Sequence, residues 1–162
     1  MKTGNWLRLA VPFFITMTHA AERIDISAIP KGEMTLVKQT VAGFTPTAAS
    51  SDSECSLAVG CLINYTITGY ANDKVVIIHV SSSEDGSEVS RIDTEIELAR
   101  MSRDADATLG KMAGFRADRV FESRDENGKA LYLIIGFRGS TKQVVQIRAD
   151  GSVIESDQTP RK

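Results

Sequence analysis

The sequence predicts an α+β fold: a single domain dominated by an antiparallel β-meander, with one central helix. Several segments alternate apolar and polar side chains, which is typical of strands with one buried face. Turn sequences such as Asp150-Gly151 separate these segments at short intervals. The segment SRDADATLGKMAG (102–114) instead has a capping serine, acids in its first turn and a glycine at its end, which together predict the helix.

The first twenty residues have the pattern of a secretory signal peptide. MKTGNWLR is basic, LAVPFFITM is a short apolar run and THA ends in small residues. A membrane-spanning helix would need about 20 apolar residues, and this run is shorter. We therefore predict a signal peptide at 1–20 and an exported domain at 21–162. The protein should lie in the periplasm or outside the cell, with no membrane insertion after cleavage.

The elements before the helix follow from local patterns. RIDISAI (23–29) predicts a short strand and EMTLVKQTV (33–41) a second one. GFTPTAASSDSE (43–54) is rich in small and polar residues, so we predict a surface loop there. LINYTITGY (62–70) alternates as a strand, and KVVIIHV (74–80) is apolar on both faces, which predicts a central strand.

RIDTEIELARM (91–101) fits a strand by alternation and a helix by the spacing of Ile92, Ile96 and Ala99, and we favour the strand. After the helix, RVFES, KALYLIIGF, QVVQIR and SVIES predict a meander, and residues 157–162 a frayed tail. No internal repeat is predicted. The helix followed by hairpins ending in ADGSVIE resembles the helix-then-meander units of small periplasmic domains of the PepSY and BamE kind. That resemblance rests on turn placement and implies no function.

Charge and motifs exclude several classes of function. Without Lys2 and Arg8 of the signal peptide, 17 basic and 21 acidic residues remain, a formal charge of −4. Nucleic-acid binders usually have a basic excess or a basic stripe, so we predict no nucleic-acid partner. GFRGSTK (136–142) has the wrong spacing for a phosphate-binding loop, and the predicted mature chain has a single histidine. We therefore predict no cofactor and no metal site.

His79 is that single histidine, and it lies within the predicted central strand. It could serve as a general base, but we favour a histidine in or beside the core, because no nucleophile motif accompanies it. A small hydrolase using His79 stays an alternative. Three carboxylates (Asp93, Glu95 and Glu97) would share one strand face, which we interpret as a solvated, charged surface.

Cys55 and Cys61 are the two cysteines of the chain. In an exported protein such a pair predicts a disulfide. Six residue steps span about 20 Å as a strand and about 9 Å as a helix, whereas the Cα atoms of a disulfide lie about 4.4–6.8 Å apart. The intervening residues must therefore fold back as a tight loop. Its apolar residues Leu57, Ala58 and Val59 either tuck into the core, which we favour, or form a rigid recognition tip.

These observations favour an exported, non-enzymatic binding protein that acts by protein–protein contact. Its most concrete form is an inhibitor or immunity-type protein of an exported enzyme or toxin, with Leu57, Ala58 and Val59 as the partner-binding residues. A preorganised loop loses little conformational entropy on docking, which suits that role. One alternative is an accessory structural component of a cell-envelope assembly, and the other is the hydrolase.

Overall fold

A computed structural model describes residues 21–56 and 60–159, and within these ranges the chain forms one nine-stranded sheet and two α-helices. The helices are α1 (Lys31–Thr40) and α2 (Arg103–Gly110). The strands are β1 (Glu22–Ile24), β2 (Thr45–Ser56), β3 (Gly60–Ala71), β4 (Lys74–Ser83), β5 (Gly86–Ile96), β6 (Phe115–Arg124), β7 (Ala130–Arg138), β8 (Thr141–Arg148) and β9 (Val153–Thr159). They lie in chain order and every neighbouring pair is antiparallel, which confirms the predicted fold class.

Both helices pack on the same face of the sheet. Val37 of α1 belongs to a core cluster with Ile67 and Ile78, and Leu109 of α2 belongs to a second cluster with Ile134. The cross-strand pairs Ile78–Ile92 and Ile96–Val120 lie on this same face, so the two clusters are on the same side of the sheet. We call the opposite side the open face. Its middle row runs along β3 to β8 through Tyr70, Val75, Glu95, Phe121, Leu133 and Gln146.

The sheet consists of two halves that overlap over a short distance. The pairing between β5 and β6 covers three positions, Thr94–Glu122, Glu95–Phe121 and Ile96–Val120. Each half is a helix followed by a four-stranded meander, α1 with β2–β5 and α2 with β6–β9. The halves are therefore offset along the strand direction, and the β2–β3 hairpin extends beyond the end of β6.

The two halves are repeats, so the prediction of no internal repeat is wrong. Ala-Gly-Phe follows both helices, at 42–44 and 113–115. Both glycines have positive φ, +73° and +70°. In each half the phenylalanine ring covers a glycine of a later strand, Gly69 under Phe44 and Gly136 under Phe115. The glycine after each helix turns the chain out of the helix, because glycine readily adopts a positive φ. The glycine in the later strand has no side chain, so the phenylalanine ring can lie directly on the sheet there.

The predicted strand at 33–41 is wrong, because residues 33–40 belong to α1 and Val41 is its C-cap. Val37 is fully buried, and Met34 and Val41 pack against the same core at helical spacing. The β-branched residues of this segment raise its strand propensity, but tertiary packing outweighs propensity. The strand predicted at 23–29 is shorter than expected, because Asp25 caps a 3-10 turn at Ile26–Ala28 through the Ser27 N–H.

Two predicted irregular segments are strands. The surface loop predicted at 43–54 is wrong, because β2 pairs with β3 from Thr45 to Ser56, and Ala49 is buried against Ile67. The frayed tail predicted at 157–162 is wrong for its first three residues, because β9 pairs with β8 as far as Thr159. Residues 160–162 lie outside the described ranges. In both segments backbone hydrogen bonds to the neighbouring strand determine the structure. Amino-acid composition does not reveal such bonds.

The strand favoured for residues 91–101 is confirmed for residues 91–96, which continue β5, and a 3-10 turn follows at Leu98–Arg100. Ser102 caps α2, since its hydroxyl oxygen accepts the Ala105 N–H. Among the described helices, none combines the length and the hydropathy that a bilayer-spanning helix needs. The predicted signal peptide, residues 1–20, lies outside the described ranges.

Candidate functional site

Cys55 and Cys61 lie directly opposite each other at the end of the β2–β3 hairpin and are joined by a disulfide. Their Cα atoms are 4.0 Å apart. Gly60 has a φ of +78°, which returns the chain into β3. The predicted partner-binding residues Leu57, Ala58 and Val59 lie outside the described residues, so their orientation stays a prediction. The disulfide joins the two strands that flank residues 57–59.

The middle row of the open face is mostly apolar, with Glu95 and Gln146 as its polar members, although solvent-facing side chains are expected to be polar. Tyr70 is 53% exposed and lies opposite Val75, while Leu133 lies opposite Phe121. An antiparallel sheet with helices on one side normally presents polar side chains on the other. Further apolar side chains flank this row on the same face, namely Ile77, Leu131, Ile135 and Val144. Tyr70 is exposed and most of the other apolar side chains on this face are partly exposed, whereas Phe121 and Leu131 are already buried. The exposed and partly exposed members mark a candidate protein-binding site.

Phe121 lies beneath this surface, in the middle of the row, and is fully buried. The Arg119 guanidinium lies over its ring, 4.9 Å from the centroid, and Arg119 Nε donates to Glu95 Oε1 at 2.7 Å. The Arg119 hydrogen bond lowers the pKa of Glu95, and burial opposes this only in part. A fixed ion pair therefore covers the aromatic ring. A cation over an aromatic face adds to the stability of this arrangement.

The open face carries acidic side chains at its end near the disulfide and basic side chains in its C-terminal half. Near the disulfide, the open face carries Asp52, Glu54 and Glu88, and no lysine or arginine occurs between Lys38 and Lys74. In the C-terminal half the same face carries Arg116, Lys142 and Arg148. The open face thus combines the mostly apolar row with an acidic end near the disulfide and basic residues in the C-terminal half.

His79 joins a partly buried polar network on the open face. Its Nε2 lies 2.9 Å from Asp93 Oδ2 and 3.1 Å from the Arg91 guanidinium, and its Nδ1 lies 3.4 Å from the Thr66 hydroxyl. Arg91 Nε also donates to Asp93 Oδ2, at 3.1 Å. Burial raises the pKa of Asp93, but the His79 hydrogen bond and the Arg91 charge more than offset this and hold the pKa below its usual range. Asp93 is thus a buried carboxylate that stays ionised.

Thr66, His79 and Asp93 follow the order hydroxyl, imidazole, carboxylate of a hydrolase triad. Their surroundings do not suit one. Thr66 lies in mid-sheet between Ser50 and His79, and its strand pairs on both sides, so the local backbone amides belong to the ladder and do not form an oxyanion hole. The Arg91 guanidinium also contacts His79 Nε2, the nitrogen that would bind the Asp93 carboxylate in a triad. The geometry therefore favours the structural interpretation of His79.

The apolar row was not predicted as a site, although the sequence contains a signal for it. KVVIIHV and KALYLIIGF are apolar on both faces, which indicates central strands covered on both sides. The structure places them in a sheet whose described helices all lie on one face. The apolar side chains on the helix-covered face of these strands fill the core, and those on the opposite face contribute to the row.

The fold and this face together define a class of protein: a one-sheet α+β domain built from two helix-and-meander repeats, with one sheet face left open. No protein-family model matches the chain, and no curated protein matches its sequence.

Solved structures share the fold. One is a DUF2874 family protein from Bacteroides uniformis, with 10% identity, a TM-score of 0.53, and coverage of 80% of this chain and 88% of that one. Another is a BLIP-like protein from Bacteroides fragilis, with 10% identity, a TM-score of 0.52, and coverage of 82% and 88%. A DUF2874 family protein from Bacteroides ovatus has 13% identity, a TM-score of 0.52, and coverage of 80% and 86%. At these identities the likeness shows a shared fold.

Proposed function

We propose that this chain is an exported, non-enzymatic protein that binds another protein through its open face. In its most concrete form it is an inhibitor or immunity-type protein of an exported enzyme or toxin. The observation that carries the proposal is the apolar middle row of the open face. Burying such a row against a partner gains about 25 cal/mol for each Å² of apolar surface removed from water.

The shared fold and the disulfide support this role. The Bacteroides fragilis protein that shares the fold is described as BLIP-like, which means similar to a β-lactamase inhibitor. The disulfide is typical of proteins that work in oxidising compartments, which agrees with the signal peptide predicted at 1–20. We propose a periplasmic or extracellular site of action.

The charge pattern defines the partner's chemistry. The partner would present an apolar protrusion to the row around Tyr70 and Leu133. Its basic side chains would meet the acidic end near Glu54, and its acidic side chains would meet Arg116 and Lys142. We propose that Leu57, Ala58 and Val59 extend the contact at the acidic end.

Tyr70→Asp tests the open face, because Tyr70 is exposed and a charge there should not unfold the protein. The partner is captured from the exported proteins of the source cell, purified, and titrated against each variant by calorimetry. We expect Tyr70→Asp to weaken binding at least tenfold, since central aromatic residues commonly dominate interface energies. Leu98→Asp is the matched control. It alters an exposed apolar residue in the 3-10 turn that follows β5, outside the row, and should leave the affinity unchanged.

The same titration separates the competing possibilities. If Tyr70→Asp binds as tightly as the unaltered protein, the open face is not the site. Loss of binding only in Leu57→Asp, Val59→Asp would then assign recognition to the hairpin tip. A partner that loses no activity when bound would contradict the inhibitor role. It would favour the envelope-assembly alternative, for which the outer edge of β9 offers unpaired backbone.

A further inference from the structure

We propose that a cleft at the disulfide end of the open face binds a single basic side chain, a lysine or an arginine, that the partner protein presents. The partner itself rests on the proposed function. The cleft belongs to the unbound protein, so its preference for basic side chains can be tested without a partner.

The cleft forms because small side chains of one strand lie between larger side chains of its two neighbours. Ser81 and Ser83 of β4 form its floor, with Leu62 of β3 on one side and Glu88 of β5 on the other, and Asp85 of the β4–β5 turn also lines it. Ser81 and Ser83 are two residues apart, so both face the same side of the sheet, and Glu88 lies opposite Ser81. The cleft has a volume of about 300 Å³, at the small end for a ligand pocket, which suits one side chain.

The side chains that line the cleft offer hydrogen-bond acceptors. The serine hydroxyls of the lining all donate within the protein: Ser81 to Asn64 Oδ1, Ser83 to the Gly86 carbonyl, and Ser87 to Glu33 Oε1. A hydroxyl has one proton to donate and two lone pairs, so these oxygens can still accept, and the ionised carboxylates of Asp85 and Glu88 can only accept. The matching ligand is a group that only donates. Among side chains, the charged ends of lysine and arginine have that property.

The charge around the cleft favours a cation as well. The acidic residues of the two hairpin ends on this side are Asp52, Glu54, Glu84, Asp85 and Glu88. Apart from Lys74, at the opposite end of β4, the sequence from 39 to 90 contains no lysine or arginine. The ion pairs within the described part of the chain do not involve Glu54, Asp85 or Glu88. A basic side chain that enters the cleft would therefore meet carboxylates without a cationic partner and form charge-assisted hydrogen bonds.

Leu62 distinguishes the cleft from an exposed acidic patch. It is 37% exposed and lies beside the serine floor. Lysine and arginine pack their methylene stems on apolar surface while their charged ends reach polar groups, so Leu62 favours a long basic side chain over a free metal ion. In the described ranges, no group of three or more histidine, cysteine, aspartate or glutamate side chains could hold a metal ion. Arg91, on the same face, is paired with Asp93 and does not line the cleft.

The cleft is tested first in the protein alone, by NMR titration of the nitrogen-15-labelled protein with the peptide Ac-Gly-Arg-Gly-NH2. The titration is run at low ionic strength, because salt screens exposed charges. We expect the amide signals of Leu62, Ser83 and Glu88 to shift. A peptide with citrulline in place of arginine should leave them unshifted, since citrulline keeps the length of the side chain and lacks its charge. Ac-Gly-Lys-Gly-NH2 shows whether the cleft accepts lysine as well.

Glu88→Gln should weaken peptide binding at least threefold, because it removes one charge from the lining. Glu88 is exposed, so the rest of the spectrum should report a folded variant. Asp73→Asn is the matched control, since it removes an exposed carboxylate from the β3–β4 turn and should leave the affinity unchanged. Equal shifts with the citrulline peptide would overturn the assignment, and so would an affinity that Glu88→Gln leaves unchanged.

The captured partner is then titrated by calorimetry against the double variant Asp85→Asn, Glu88→Gln. We expect about tenfold weaker binding than for the unaltered protein, and a smaller difference at high salt. If the double variant binds the partner as tightly as the unaltered protein, the partner does not use the cleft, and this proposal fails while the open-face function stands. If the arginine peptide occupies the cleft but no partner binds the open face, the preference of the cleft stands and the proposed function fails.

Discussion

Asp93 shows how one buried residue can depend on several strands. It is fully buried, and its charge is maintained by His79 from β4 and Arg91 from its own strand. Because its pKa is lower in the folded chain than in the unfolded chain, the ionised form stabilises the fold. This contribution is complete above the usual carboxyl range and is lost as the pH falls through the lowered native pKa.

We expect Asp93→Asn to lower the free energy of unfolding by about 2 kcal/mol at pH 7, since it removes the charge from two charge-assisted hydrogen bonds. The difference from the unaltered protein should shrink as the pH falls below the usual carboxyl range, because Asp93 itself then becomes protonated. Urea unfolding at several pH values measures both effects. Asp73→Asn changes an exposed turn residue and serves as the control. A difference that stays constant with pH would contradict the assigned role of the charge.

Single residues were predictable where their role is local. Ser102 was identified as a cap because the signal lies within four residues, and the cysteine pair was identified because six residue steps limit the geometry. The partner of His79 was not predictable. Asp93 lies fourteen residues away, and their contact depends on the β4–β5 register, which contains a bulge.

At the scale of elements, α2 was predicted and α1 was not. The α2 segment has its own cap, and its first turn carries Asp104 and Asp106. The N-cap of α1 is Pro30, which offers no side-chain hydrogen bond, and its sequence is rich in β-branched residues. The helix forms there because Val37 is buried against Ile67 and Ile78, and these contacts exist only in the folded sheet.

The Ser102 cap also fastens α2 to the end of the meander. Its hydroxyl oxygen accepts the Ala105 N–H at 3.2 Å, and the same hydroxyl donates to the Ala149 carbonyl at 2.6 Å. We expect Ser102→Ala to lower the free energy of unfolding by about 1–2 kcal/mol, because it removes the cap and leaves a part-buried carbonyl unpaired. Thermal or urea unfolding measures the change.

Ser102→Thr is the matched variant, since threonine keeps the hydroxyl. It should retain most of the stability that alanine loses. Equal losses for both substitutions would show that packing around the side chain, and not the cap, is responsible.

At the scale of the whole molecule, the repeat makes a prediction about two distant glycines. A Cβ at Gly69 would overlap the Thr45 carbonyl and the Phe44 ring, and a Cβ at Gly136 would overlap the Arg116 carbonyl and the Phe115 ring. The two positions are equivalent in the two halves. We expect Gly69→Ala and Gly136→Ala each to cost about 1–3 kcal/mol of stability, as overpacking of a filled site does.

Gly32→Ala is the control for both, because no atom lies within 4 Å of a Cβ there and the residue is helical. It should leave stability unchanged or raise it by up to about 1 kcal/mol. Thermal unfolding of the three variants gives the comparison. A large loss at only one of Gly69 and Gly136 would show that the halves do not share the same packing.

The sequence by itself determined the α+β class, the central helix, most strands of the meander and the proximity of the two cysteines. These features follow from alternation, turn chemistry, capping and chain length, which act over a few residues. Tertiary structure decided that α1 is a helix, that β2 is a strand, and that the two halves repeat. It also decided the open face. Apolar segments such as KALYLIIGF indicate burial on both sides, but only the packing of the described helices on one side of the sheet determines which apolar side chains fill the core and which form a candidate binding surface.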